Sequence, residues 1–344
     1  MQMIPKKIQS VETHWQKELA NCFTSLESLL EYLSINPQTL AISVNDHSKA
    51  RKLFPMRVPR PFADLMQAGN WHDPLLQQVI PQYAEYNNKP GFVEDPLEEQ
   101  NNPNKGIIHK YKSRILLVVR GGCAVNCRYC FRRHFPYQDN HIKHANYDSV
   151  ITYVRQHTEI NEVIFSGGDP LMANDAHLEA LALNISAIAN VKRLRIHTRL
   201  PVVIPSRIND EFLAWVRQLE VKLVMVMHIN HANEVSPALK QKCQQLQQAG
   251  VTLLNQSVLL AGINNNADAL EALSEALFDA GILPYYLHMF DPVKGASHFD
   301  VPRAEGQHIM AELIKRLPGF LVPKLVKELA GQPGKTPIDL KLEP

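Results

Sequence analysis

From residue 114 onward the chain repeats one pattern six times: a short apolar run, a polar or glycine-rich turn, then an amphipathic stretch at helical spacing. The apolar runs are RILLVV at 114, NEVIFSG at 161, RLRIHT at 193, KLVMVMHI at 222, VTLLNQSVL at 251 and LPYYLHMF at 283. The stretches between and after them are NYDSVITYVRQ, DAHLEALALNISAIA, NDEFLAWVRQL, PALKQKCQQLQQAG, ADALEALSEALFDAG and RAEGQHIMAELIKRL. Neighbouring parallel strands need a crossover, and a helix supplies it, so six such units predict an α/β protein with a parallel sheet. Every run ends in polar or glycine-rich residues: RGGC, SGGDP, HTR, HINH, NQS and HMFDP. A barrel or partial barrel gathers its working residues at those strand ends, which favours that architecture. An open doubly wound sheet obeys the same placement rule.

The rest of the chain divides around this core. Residues 1–80 read as an N-terminal helical region: VETHWQKELANCF and SLESLLEYL carry apolar residues at helical spacing, and a short helix through PFADLMQ starts at Pro61. Residues 81–112 are dense in Pro, Asn and Gly and read as an extended linker segment. The barrel core is expected over 113–317, and a C-terminal segment over 318–344 ends in the glycine-rich stretch GQPGKTP.

A net charge of +2 gives no support to a general nucleic-acid or membrane-surface role. No uncharged apolar run approaches the roughly 20 residues that span a bilayer, and MQMIPKKIQSVETHW lacks the apolar core of a secretory signal. The expectation is a cytoplasmic protein with reduced thiols. Five cysteines in 344 residues are no disulfide framework, yet three of them, Cys123, Cys127 and Cys130, crowd into RGGCAVNCRYCFRRHF directly after the first strand. Thiolates so close together need a cation or cluster to neutralise them. Zinc wants four protein ligands, and His134 is the nearest fourth. Three cysteines around an iron–sulfur cluster instead leave one iron without a protein ligand, a reactive vacancy.

CAVNCRYC resembles the cluster loop of the radical S-adenosylmethionine superfamily, in which three cysteines hold a [4Fe–4S] cluster and the open iron chelates S-adenosylmethionine. IFSGGDP resembles that superfamily's glycine-rich segment, with Gly167, Gly168 and Asp169 at the positions that lie against the methionine amino group. The resemblance implies a partial (β/α)6 TIM-like barrel and an external one-electron reductant.

Within that superfamily the chain is most similar to the lysine 2,3-aminomutases, from about residue 80 to the C-terminus. The likeness rests on YKSRILLVVRGGCAVNCRYCFRR, SGGDPL, RIHTRLPVVIPSRI, YYLHMFDPVKGASHF and GQPGKTP. It is nearest the short bacterial form that acts in lysine modification of translation elongation factor P, without the long C-terminal extension of the clostridial type. The resemblance implies an isomerase that turns free L-lysine into (R)-β-lysine and adds pyridoxal 5′-phosphate as a second cofactor. Lys335 would be the Schiff-base lysine, with Gly331 and Gly334 allowing close approach. Arg114, and less directly Arg199, would bind the cofactor. Arg132 would hold the substrate carboxylate through its planar fork. Asp291 and Glu328 would read the ε-ammonium, Glu328 standing where the family carries an aspartate one methylene shorter. The product would pass to an elongation factor P–lysine ligase, and the family leaves a homo-oligomer open.

Overall fold

Seven parallel strands laid down in chain order form the middle of one nine-stranded sheet. The computed structural model describes residues 14–38, 43–100, 104–138, 140–142, 147–332 and 334–342. Strands β1 (Ile107–Tyr111) and β2 (Arg114–Arg120) open the sheet as an antiparallel pair. Strands β3 (Glu162–Gly167), β4 (Arg193–Thr198), β5 (Lys222–His228), β6 (Thr252–Val258), β7 (Leu283–His288) and β8 (Lys324–Lys327) each add parallel to the one before. Strand β9 (Thr336–Pro337) ends the sheet antiparallel to β8.

The six apolar runs read from sequence are β2 to β7. The helices Tyr147–Gln156, Asp175–Ser186, Asp210–Val216, Pro237–Gln248, Ala267–Asp279 and Arg303–Arg316 follow them in turn. A polar residue starts four of these helices: Asn174, Asn209, Ser236 and Asn266 each accept the backbone N–H three residues on, satisfying a donor the helix leaves free. A doubly wound sheet reverses its strand order at a switch point; this one never does. With every crossover of one hand, the helices line one face and the sheet curls into a partial barrel.

Three features differ from the sequence reading. Strand β8 is a seventh parallel strand within the C-terminal segment. It is only four residues long, with Leu325 and Val326 buried, too short to show an alternation. Segment 81–112 is packed, not an extended linker. Leu97, Glu99, Ile107 and Ile108 are buried, Val93 bridges to Val293, and the segment ends in β1 (residues 101–103 lie outside the described residues). Pro90, Gly91, Pro96 and Gly106 lie in its turns. Among the described residues the α-helices of the N-terminal region are short, His14–Ala20, Leu26–Tyr32, Val44–Lys49, Arg60–Ala63 and Pro74–Gln77, and residues 11–13 of the expected first helix lie outside the described residues. Its Trp15, Leu26, Leu29 and Phe62 share one continuous apolar core with Phe165, Trp215 and Met225 of the barrel, so the region braces the barrel directly. Among the described residues, no helix is long and apolar enough to cross a membrane.

Candidate active site

The strand ends surround a cavity of about 280 Å³, bordered by Cys123, Cys127 and Cys130, by Gly167, Gly168 and Asp169, and by Arg114, Arg132, Arg199, Asp291, Glu328 and Lys335. The turn after β2 carries Cys123, Cys127 and Cys130, all free thiols. The N-terminal region grips this turn through its backbone. Asn126 N–H donates to the Arg57 carbonyl (3.1 Å), Arg128 N–H donates to the Gln78 carbonyl (2.8 Å), and Arg57 Nη1 donates to the Cys123 carbonyl (3.0 Å). Two of the four arginines around the thiols are structural. Arg128 and Arg133 are both fully buried on the Glu85 carboxylate.

Burial, and then the neighbouring thiols, push the Cys123 thiol well above its ordinary value and Cys130 up to about 11. Anionic sulfur at this place therefore needs a cation. Among the described residues, no group of three or more His, Cys, Asp or Glu is already drawn together as a metal site. The donor set still fits an iron–sulfur cluster, because three thiols on one turn face one cavity. The zinc alternative loses its fourth ligand, since the His134 ring bonds to the Lys294 carbonyl (3.1 Å) and does not border the cavity.

The glycine pair after β3 lets this turn approach closely. A Cβ on Gly168 would stand 2.6 Å from the Gly122 carbonyl oxygen, and Gly167, at φ +122°, would put one 2.4 Å from the Arg120 carbonyl oxygen. Asp169, expected to face a ligand, is spent on the rim itself. Its two oxygens accept from Leu171 N–H, Thr198 Oγ1, Arg199 N–H and Leu200 N–H at 2.8 to 3.0 Å. The carboxylate locks the end of β3 to the end of β4.

Arg199 also departs from its expected place. Its Nη1 stands 2.7 Å from Cys127 Sγ, and its Nη2 donates to Gln78 Oε1 (2.7 Å) and Glu234 Oε2 (2.9 Å). A fork so engaged beside a thiol is not free for a phosphate. Arg114 has no ion pair among the described residues and stacks 4.0 Å over the Tyr111 ring.

The remaining charges form an alternating array. Arg132 donates from Nε to Glu99 Oε2 (2.7 Å) and from Nη2 to Glu99 Oε1 (3.2 Å). Lys110 Nζ lies 2.9 Å from Glu99 and 3.7 Å from Glu328, and Lys335 Nζ donates to Glu328 Oε2 at 2.7 Å. A hairpin makes the last contact: Glu328 directly follows β8 and Lys335 directly precedes β9, so the ladder closes a loop over 328–335. Burial raises the Glu328 carboxyl, but Lys335 and Lys110 outweigh it and hold it at about 2. Asp291 is the opposite case. Burial, with Glu328 nearby, pushes it up to about 7, and its buried Oδ1 has no hydrogen-bond partner among the described residues.

Sequence reasoning missed Glu99, Lys110, Arg195, His197 and His288, all of which border the cavity. Alternation in RLRIHT marks Arg195 and His197 as sharing a face, the one signal that would have found them. Burial first, then nearby cations, hold the His197 and His288 imidazoles well below the ordinary range, so both stay neutral.

Residues 117–243 match the family model described as "Radical SAM superfamily". The chain is 50% identical to the L-lysine 2,3-aminomutase of Escherichia coli (strain K12) over 328 residues, 95% of each chain. It is 47% identical to that of Haemophilus influenzae over 98% of this chain and 99% of the relative. Identity to that of Clostridium subterminale is 32%, over 94% of this chain and 77% of the relative.

Proposed function

Because the chain belongs to the lysine 2,3-aminomutase family of radical S-adenosylmethionine enzymes, and is thus an isomerase, we propose that it moves the α-amino group of free L-lysine to the neighbouring carbon with bound pyridoxal 5′-phosphate. In this reading Cys123, Cys127 and Cys130 hold a [4Fe–4S] cluster, and Lys335 carries the pyridoxal phosphate with Arg114 toward its phosphate. The cluster supplies an electron, received from an external reductant, to S-adenosylmethionine, and the pyridoxal phosphate supplies the conjugated carbonyl that carries the migrating amino group.

The chain's own residues bind, orient and exclude. Arg132 takes the substrate carboxylate. Glu328 holds an ammonium at 2.7 Å, that of Lys335. Glu328 would exchange that ammonium for the ε-ammonium of lysine, and the Oδ1 of Asp291, unpartnered among the described residues, would be the second acceptor. Neutral His197 and His288 add no cation against that ammonium. Gly167 and Gly168 close the glycine turn over the thiol turn and shut out solvent and stray hydrogen donors.

One observation carries the reading: a lysine held by a carboxylate opposite a second, unpaired acid, in the same cavity as three thiols. Borohydride reduction of the protein with pyridoxal phosphate tests it. The expected result is a stable adduct mapped by peptide mass spectrometry to Lys335 and absent in Lys335→Ala. An adduct elsewhere, or one undiminished in Lys335→Ala, refutes it. Delivery of β-lysine to an elongation factor P–lysine ligase is supported by the resemblance to the short bacterial form, and purified ligase charged with this enzyme's product tests that step.

A further inference from the structure

The reading of Arg132 as the carboxylate-binding group leaves open what aims its guanidinium, and this inference rests on that reading. An arginine on a flexible stem recognises a carboxylate well only when its plane is fixed beforehand. Glu99 does this. Its two oxygens take the Nε and Nη2 donors of Arg132 in parallel, at 2.7 and 3.2 Å, which fixes the plane and uses up that edge. What remains toward the cavity is the opposite end of the fork, where Nη1 makes only long contacts, 3.3 Å each, to Ser166 Oγ and the Gly167 carbonyl.

Glu99 is itself built in. Its side chain is 5% exposed, and its backbone N–H donates to Asp95 Oδ1 (3.0 Å). Lys110, on β1, donates to Glu99 (2.9 Å) and to the Leu97 carbonyl (3.1 Å). Lys110 also stands 3.7 Å from Glu328, so one buried anion ties the carboxylate-binding arginine to the ammonium-binding glutamate. We propose that Glu99 is the positioning residue of this site: it holds Arg132 end-on to the substrate carboxylate and, through Lys110, sets Arg132 against Glu328 for a substrate with a carboxylate and a distant ammonium.

Charge alone predicts the opposite effect. Neutralising Glu99 makes the surroundings of Arg132 more positive by one unit, which would strengthen carboxylate binding. Positioning predicts weaker binding, so the sign decides. The test uses the reconstituted enzyme with cluster, S-adenosylmethionine and pyridoxal phosphate, without reductant so that no turnover occurs. Calorimetry measures the dissociation constants of L-lysine and of L-lysinamide, which keeps both amines and lacks the carboxylate charge. A fold defect weakens both ligands alike; loss of aim weakens lysine selectively.

The expected result is that Glu99→Gln lowers the preference for lysine over lysinamide by roughly tenfold or more, the worth of a charged hydrogen bond, and that Arg132→Gln abolishes it. A Glu99→Gln preference equal to or above wild type, with Arg132→Gln still abolishing it, overturns the inference and leaves the carboxylate reading standing. An undiminished preference in Arg132→Gln overturns that reading and this inference with it. Should Glu99→Gln not fold, Glu99→Asp keeps the charge but withdraws it by one methylene. Positioning expects a reduced preference there too, and an unchanged one overturns the proposal.

Discussion

Replacing Glu85 with glutamine removes one negative charge from between two buried arginines. Glu85 is 1% exposed and accepts from Arg128 Nε and Nη2 (2.9 and 2.5 Å) and from Arg133 Nη2 (2.7 Å), both guanidiniums being wholly buried. The other Arg128 donors are spent on the Phe54, Pro55 and Ala50 carbonyls at 2.7 to 3.3 Å, so neither arginine can swing out to water without breaking the turn. Breaking a buried ion pair from one side costs about 3–5 kcal/mol, because the other charge stays desolvated. Over 344 residues the unfolding entropy is about 0.7 kcal/mol/K, so the unfolding temperature should fall by roughly 4–7 °C. Arg128 lies between Cys127 and Cys130, so the same change should loosen the thiol turn. Differential scanning calorimetry reads the first effect, and iron and sulfide content after anaerobic reconstitution reads the second. Glu94→Gln is the control, since its pair with Lys294 lies in solvent and its loss should leave both readings unchanged. A Glu85→Gln shift below about 1 °C with full iron content would refute the claim that this buried carboxylate braces the turn.

Gly168→Ala forces a Cβ to 2.6 Å from a backbone oxygen of the thiol turn, which cannot rotate away, so an overpacking loss of about 1–3 kcal/mol and reduced iron uptake should appear together; normal iron content would show that the turns need not touch. Asp291, pushed up to about 7 in the folded chain against about 3.9 when unfolded, makes the folded state bind the extra proton between those values. Its contribution to stability is therefore present below pH 4 and is lost as pH rises through 7. Lysine affinity runs the other way, strengthening as Asp291 ionises near pH 7. Calorimetric pH profiles of Asp291→Asn should lack both limbs, and a retained rise in affinity would assign it to another group.

Much of this was legible in the sequence because it is local. The six strands and six helices from Arg114 to Arg316 follow their own periods, four of the helices carry a polar cap, and the three thiols sit within one turn. What could not be read depends on partners brought together by the fold. Glu99 meets Arg132 across 33 residues, and a Pro- and Asn-rich stretch gives no sign that it packs. The Lys335–Glu328 contact needs a hairpin whose second strand is two residues long. HTR at the end of β4 shows that Arg199 faces the rim but not which neighbour it meets, and the fold turns its fork to Cys127. The partners of Asp169 were hidden too: four donors of its own rim claim it.

The most direct test of the central claim is anaerobic turnover of the reconstituted enzyme with S-adenosylmethionine, pyridoxal phosphate, a one-electron reductant and a panel including L-lysine, L-ornithine and L-glutamate. Products are identified by mass spectrometry and chiral chromatography. β-Lysine should form from lysine in preference to any product from the other two, and should disappear when pyridoxal phosphate is omitted or Lys335 is replaced by alanine. No migration product from lysine, or an equal yield without pyridoxal phosphate, would contradict the account.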